Sequence, residues 1–291
     1  MINLKENINQ KWEVLDIMDW GENYLLLNGF KEARDEIEWF LCDLMNYKRS
    51  DLYLNSEQKV NQNKVSCFKE WVNQRIKNKP VQYITGRTEF YGNEISVSPE
   101  VLIPRMETEK LVEVAIDSLK TLSRPKVLEV GTGSGCIAIA IGSARKDAKI
   151  LSIDISTSAL EIAKNNVRVN KISNVTFSKL DFMKETPKGE YDLIVSNPPY
   201  ISKYEMNTIM SDVSNYEPHI ALTDNKDGLE FYRRFCDIAK KLSKKDGKMI
   251  LEVGLGSHPI KAFNIFNSSD FNKIDLIPDY NGDLRVLKIE I

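Results

Sequence analysis

Little in this chain is available for metal, redox or membrane chemistry. Its 291 residues include four cysteines and two histidines. Cys42, Cys67, Cys136 and Cys236 lie far apart with no Cys-x-x-Cys pair. With only His219 and His258 to join them, a zinc site lacks its usual ligand spacing, and no metal is expected. Free thiols in a reducing compartment fit this usage better than a disulfide framework. No run approaches the roughly 18 apolar residues that span a bilayer. The opening Met1-Ile2-Asn3-Leu4-Lys5-Glu6 lacks the charged-then-apolar build of a signal peptide, so a cytoplasmic protein without a membrane partner is expected. An excess of one charge is missing too: 40 basic side chains stand against 42 acidic ones, for a net charge of −2. Tight, sequence-indifferent binding to long nucleic acid is therefore not expected. One local exception is the run Lys64, Lys69, Arg75, Lys77 and Lys79, which faces a single acid, Glu70. Such a run is ordinarily a solvated helix face, with a docking surface as the sharper reading.

What is present is a change of rhythm. Residues 1–80 read as helices only, with Phe30, Ala33, Ile37, Phe40, Leu41 and Leu44 at helical spacing, then Val65, Phe68, Trp71, Val72 and Ile76. Pro80 should stop the second stripe. Residues 81–105 read as a linker built on a β-hairpin, with Glu89-Phe90-Tyr91 and Ile95-Ser96-Val97 flanking Gly92-Asn93-Glu94. From residue 106 to 291 strand and helix patterns alternate, which predicts an α/β domain with a mostly parallel sheet covered on both faces. Ligands of such sheets bind beyond the carboxyl ends of the strands, at the switch point.

Two strand ends carry chemistry. Val127-Leu128-Glu129-Val130 runs into Gly131-Thr132-Gly133-Ser134-Gly135 and then an apolar helix, with Asp154 closing the next strand, 23 residues after Gly131. Glycines permit a sharp turn and close approach to a ligand, and an acid at that position accepts hydrogen bonds from ribose hydroxyls. A dinucleotide needs its pyrophosphate on the helix N-terminus with Gly-x-Gly-x-x-Gly spacing. Here the spacing is Gly-x-Gly-x-Gly, and Glu129 would repel a pyrophosphate while welcoming the cationic groups of S-adenosylmethionine. That charge preference favours S-adenosylmethionine over NAD, with a solvated strand-end acid as the plainer reading of Glu129. Asp181-Phe182, after a third strand, offers an acceptor and a ring for adenine, although a buried Phe is the default.

The second strand, Tyr191–Ser196, leads into Asn197-Pro198-Pro199-Tyr200. The Asn197 oxygen and the Pro198 carbonyl are acceptors for the two hydrogens of a planar –NH₂ group. The prolines hold them stiffly, and Tyr200 offers a face for stacking and a hydroxyl. Taken alone, an Asn-Pro turn leaving a strand is equally ordinary.

Across nearly its whole length the chain resembles the HemK/PrmC family, peptide chain release factor N5-glutamine methyltransferases. The resemblance rests on Pro80-Val81-Gln82-Tyr83-Ile84-Thr85-Gly86 with Glu89-Phe90-Tyr91-Gly92, and on Leu102-Ile103-Pro104-Arg105-Met106-Glu107-Thr108-Glu109. Tyr216-Glu217-Pro218, Ala221-Leu222, Asp227-Gly228-Leu229, Leu251-Glu252-Val253-Gly254 and Asp283-Leu284-Arg285 extend it. Departures are Met106-Glu107 in place of Pro-Asp, Phe182 where a Trp is common, and Ser257-His258 where a Gln is expected, so His258 receives no role. The resemblance implies a Rossmann-like, seven-stranded class I S-adenosylmethionine-dependent methyltransferase domain, preceded by a small helical domain that recognises the release factor. It implies that S-adenosylmethionine is converted to S-adenosylhomocysteine. The acceptor would be the glutamine of the Gly-Gly-Gln tip of class-1 peptide chain release factors. Gly131, Thr132, Gly133, Ser134, Gly135, Asp154, Phe182 and Asn197 would bind the cofactor. Asn197, Pro198, Pro199 and Tyr200 would bind the substrate, with Asn197, Pro198 and Tyr200 acting in catalysis. A monomer is expected. Rival readings are a methyltransferase for a ribosomal-protein glutamine or a nucleic-acid base amino group, and a non-catalytic binding module.

Overall fold

The computed structural model describes residues 12–208 and 211–291, so the opening Met1–Glu6 lies outside the described residues. Contacts divide the chain into two compact units, one ending at Gly86 and one spanning Arg87–Ile291.

The first unit holds helices α1 (Val14–Leu27), α2 (Ala33–Met45), α3 (Arg49–Leu54), α4 (Gln62–Arg75) and α5 (Val81–Thr85). The apolar stripes read from the sequence form its core: Ile37, Phe40 and Leu41 of α2 meet Phe68 and Val72 of α4 and Ile17 and Leu25 of α1, all fully buried. The Asn61 side chain caps α4 by accepting the Lys64 N–H at 2.9 Å. Helix α4 already ends at Arg75, and Pro80 instead stands at the N-cap of α5. The residues read as the start of a β linker are thus one helical turn. The basic run is not a uniform cationic face either. Arg75 is turned inward to grip both oxygens of Glu36 at 2.6 and 2.9 Å, and the Lys69 ammonium stands over the rings of Trp12 and Trp20.

The second unit opens with the hairpin β1 (Arg87–Phe90) and β2 (Asn93–Ser96), turning through Tyr91 and Gly92 at φ 48° and 72°. Next come α6 (Thr108–Ser118), β3 (Lys126–Val130), α7 (Cys136–Ala144), β4 (Lys149–Asp154), α8 (Thr157–Val169), β5 (Val175–Lys179) and β6 (Tyr191–Ser196). The chain ends through α9 (Ser211–Tyr216), α10 (His219–Leu222), α11 (Glu230–Leu242), β7 (Ser243–Glu252), α12 (His258–Asn267), β8 (Lys273–Pro278) and β9 (Leu284–Glu290). Seven strands form one sheet in the order β5-β4-β3-β6-β7-β9-β8. All neighbours are parallel except β9, which runs antiparallel to both β7 and β8. No described helix is long and apolar enough to cross a membrane.

The apolar runs become strands because helices cover both faces. In α11, Tyr232, Phe235, Ile238, Ala239 and Leu242 recur on one buried side and close over Leu128, Ile194, Met249 and Leu251 of the sheet. Asn166 of α8, wholly buried, exchanges hydrogen bonds with the main chain of Ser96 at 2.9 Å and donates to the Ser134 carbonyl at 2.9 Å. One side chain thereby fastens the hairpin to the glycine loop.

Gly135 starts α7 at φ 82°, where a Cβ would stand 3.0 Å from the Ala163 Cβ and 3.3 Å from its Cα. The third glycine of the loop therefore serves helix packing. Gly135→Ala adds left-handed strain to overpacking and is expected to destabilise the fold by about 2–4 kcal/mol. Urea denaturation should show a lower midpoint at unchanged slope; an unaltered midpoint would contradict the packing role.

Candidate active site

Strands β3 and β6 are neighbours in parallel register, with Val130 opposite Ser196. The loops that leave them, Gly131–Gly135 and Asn197–Tyr200, therefore start side by side at one sheet edge. There a cavity of about 290 Å³ opens, lined by Gly131–Ser134, Asp154, Phe182 and Asn197–Pro199, among others. Seven of the eight residues expected to bind a cofactor line it, together with three of the four expected to bind substrate. Gly135 and Tyr200 do not.

The loop after β3 is held from behind. The Gly131 and Thr132 amides donate to the Ile153 carbonyl at 2.9 and 3.1 Å. Gly133 N–H donates to Asp154 Oδ2 at 2.9 Å, and Ser156 N–H to Oδ1 at 2.8 Å. Asp154 is thus oriented by two backbone donors and keeps lone pairs for a ligand. A Cβ built on Gly133 meets no atom within 4 Å, which leaves open space over the bend.

Glu129 does not face this space. It is fully buried behind the loop, where its carboxyl accepts the Ser152 hydroxyl, itself paired with the Thr132 hydroxyl. Burial pushes its pKa up to about 8, which disfavours its charged form and makes it a weak source of the charge read from the sequence. The negative lining comes from elsewhere. Glu100, Asp154, Asp181 and Asp224 border the cavity, against Arg105 as the one Lys or Arg among its described residues. Arg105 is itself paired with the buried Glu217 at 2.5 Å. Such a lining suits a cationic ligand and opposes a pyrophosphate. Phe182 is almost wholly buried among Phe231 and Phe235, with ring centroids 6.4 and 4.6 Å away, so it offers the cavity an apolar wall.

Asn197 Nδ2 donates to the Thr108 hydroxyl at 3.2 Å, and that hydroxyl donates to Glu252 Oε2 at 2.6 Å. Glu252 ends β7 and is fully buried. Tyr200, expected to stack on the substrate, turns instead toward this carboxyl: its hydroxyl reaches Glu252 Oε1 at 3.4 Å, and its ring packs beside His258. Two glycines make room for it. A Cβ on Gly254 would stand 3.0 Å from the Tyr200 ring, and one on Gly228 would fall 2.2 Å from its carbonyl oxygen. His258 fixes both glycines, accepting the Gly254 N–H on Nδ1 at 3.1 Å and placing Nε2 3.0 Å from the Gly228 carbonyl. Sequence reasoning left His258, Thr108 and Glu252 without roles; their one signal was membership in segments shared with the family, or a departure from them.

No described cavity residue is a histidine, and the Cys136 thiol, pushed up to about 12 by burial, is no base at neutral pH. Among the described residues no group of His, Cys, Asp and Glu is placed to hold a metal.

The PrmC N-terminal domain family matches residues 16–86, and the methyltransferase small domain family matches residues 107–213. The chain is 37% identical over 279 residues to a release factor glutamine methyltransferase from Fusobacterium nucleatum, covering 95% of this chain and 78% of that one. A protein of the same name from Geobacter sulfurreducens is 33% identical, covering 95% and 96% of the two chains. A third, from Thermodesulfovibrio yellowstonii, is 34% identical, covering 91% and 95%. At that identity over most of each chain, this protein belongs to the release factor glutamine methyltransferase family.

Proposed function

We propose that the protein methylates the side-chain amide nitrogen of a glutamine, in the Gly-Gly-Gln motif of class-1 peptide chain release factors, with S-adenosylmethionine as donor. The observation that carries this reading is the placement of Asn197. Its Nδ2 is committed to Thr108, so its oxygen is the end left for a ligand in the cavity beside the glycine loop.

When bound, S-adenosylmethionine supplies an electrophilic methyl carbon. The fit rests on the acid-rich lining around a single paired arginine and on the open space over Gly133. Asp154 would accept hydrogen bonds from ribose hydroxyls, and Phe182 would border the adenine. An amide nitrogen is a weak nucleophile because its lone pair is delocalised into the carbonyl. Asn197 Oδ1 and the Pro198 carbonyl would each accept one N–H of the substrate, favouring a pyramidal nitrogen with its lone pair aimed at the methyl group. Fixing that orientation is worth several kcal/mol, on the order of what proximity supplies elsewhere. The methylated nitrogen is cationic and sheds a proton without a strong base, in keeping with a cavity that offers none. The exocyclic amino group of a nucleic-acid base is less well served, since a polyanionic backbone would meet the same acidic lining.

Incubation with a purified class-1 release factor and S-adenosylmethionine should add one methyl group to the glutamine of its Gly-Gly-Gln peptide, read by mass spectrometry. A ribosomal protein bearing an accessible glutamine is the control substrate, and modification of that control alone would redirect the assignment. Asn197→Ala should lower transfer by about 100-fold or more while S-adenosylhomocysteine binds within a few-fold of wild type. Near wild-type transfer would remove Asn197 from the mechanism. Asp154→Ala should instead weaken S-adenosylhomocysteine binding about tenfold by calorimetry, the loss of roughly one charge-assisted hydrogen bond. Unchanged affinity would rule out the ribose contact.

A further inference from the structure

We propose that Thr108 and Glu252 set which end of the Asn197 amide faces the substrate. This inference rests on the assignment of Asn197 as acceptor for the substrate amide, and it concerns how that acceptor is aimed. The two ends of an asparagine amide have nearly the same shape, so sterics alone do not choose between them. Hydrogen-bond direction does. A carboxylate accepts only, whereas a hydroxyl has one proton to give. With the Thr108 proton given to Glu252 Oε2 at 2.6 Å, the Thr108 oxygen is left as an acceptor and takes the Asn197 N–H at 3.2 Å. The amide oxygen then points the other way, toward an incoming –NH₂. Reversing the chain would turn the Asn197 amino group toward the substrate's own –NH₂ group, and the bond that holds the nitrogen would become a donor–donor conflict.

The second carboxyl oxygen is engaged as well, by the Tyr200 hydroxyl at 3.4 Å, so the catalytic loop is gripped at Asn197 and at Tyr200 by one side chain. Glu252 is held in turn. The Tyr232 hydroxyl of α11 donates to its backbone carbonyl at 2.5 Å, and Arg285 of β9 donates to the Val253 carbonyl at 3.5 Å. Every member of the chain is buried or half-buried, and Thr108 stands in the first turn of α6, beyond reach of Glu252 except through the fold.

The groups that face Glu252 set its response to pH. Burial raises its pKa to about 7 and the Glu107 charge adds to that, while the Arg285 charge and the hydroxyls of Thr108 and Tyr200 pull it down. Because the value is raised, Glu252 gains a proton as pH falls through neutrality. A protonated carboxyl can donate to Thr108 and reverse the direction of the chain. The turnover rate should therefore rise with pH through this range.

The test compares wild type with Thr108→Ser, Thr108→Val and Glu252→Gln, measuring methyl transfer to the release factor from about pH 6 to 9 around that titration, with S-adenosylhomocysteine affinity as a control. Thr108→Val and Glu252→Gln should lower kcat by about 10- to 100-fold, the range expected when one buried hydrogen bond is misdirected. Cofactor affinity should stay within about twofold, since neither side chain is assigned to it. Thr108→Ser, which keeps the hydroxyl, should restore most of the rate. The acidic limb of the wild-type profile should be absent in Glu252→Gln. Should Thr108→Val fail to fold, wild type against Glu252→Gln still decides. A kcat within about threefold of wild type in the folded variants, or an acidic limb that persists in Glu252→Gln, overturns the proposal. Full activity of Asn197→Ala would overturn the underlying assignment instead, so the two failures are told apart.

Discussion

The parallel pairing of β3 with β6 is the constraint from which the site follows. The chain lays down β3, adds β4 and β5 on one side, then returns to the other side of β3 with β6. At such a reversal the connecting segments diverge to opposite faces and leave a crevice beyond the strand ends. Val130 and Ser196 close the shared register, and the Ser196 hydroxyl donates to the Val130 carbonyl at 2.7 Å. Immediately past that bond the chain becomes Gly131 on one strand and Asn197 on the other. A Cβ on Gly131 would lie 4.0 Å from the Asn197 carbonyl oxygen. The glycine loop and the Asn-Pro-Pro-Tyr turn thus become neighbours through sheet topology alone.

Two buried carboxyl groups then stiffen what topology brings together. Glu129 and Glu252 each lie near the carboxyl end of a strand and each faces hydroxyls: Ser152 and through it Thr132 for the first, Thr108 and Tyr200 for the second. Burial raises both, to about 8 and about 7. Apolar side chains of similar volume would serve stability as well or better. What a carboxyl adds is a defined direction for its hydrogen bonds. Glu129 uses it to tie the glycine loop to β4, and Glu252 uses it to tie the loop after β6 to the start of α6.

How much of this was legible in the sequence depended on how local each feature is. Asn197, the glycine loop and Asp154 announce themselves because each follows directly from an apolar strand pattern. The alternation of strand and helix was readable for the same reason, but the antiparallel insertion of β9 between β7 and β8 was not, since an alternating run does not state its neighbours. Glu129 was misplaced because a residue one position from a bend looks as if it faces the ligand, whereas its partner Ser152 is set by pairing with β4. Tyr200 was misplaced similarly: its direction is fixed by Gly228, Gly254 and His258, all remote in sequence. Thr108 and Glu252, 144 residues apart, have no local signature. The residues 81–85 looked extended beside Pro80, yet a proline at an N-cap also starts a helix, and here it starts α5.

The same contrast separates the segments held together by remote contacts from those that follow directly from a strand. The loop after β3 and the Asn-Pro-Pro-Tyr turn solve a local problem, that of leaving two neighbouring strands at one sheet edge. Arg105 and Glu217 solve a narrower one: they come from segments on either side of the catalytic strand and meet at 2.5 Å beside the cavity. Glu217 is almost entirely buried, and burying a carboxylate is costly unless it is paired, so neither segment can change alone. Asp224 adds a second such tie. It accepts the Lys226 and Gly228 amides on one oxygen and the Glu230 amide on the other, which shapes the approach to α11 and sets Gly228 against Tyr200. The ties made by Arg105, Glu217 and Asp224 therefore restrict the shape of the cavity opening. That shape depends on these ties, because the glycine loop and the Asn-Pro-Pro-Tyr turn border the cavity but do not by themselves set its far walls.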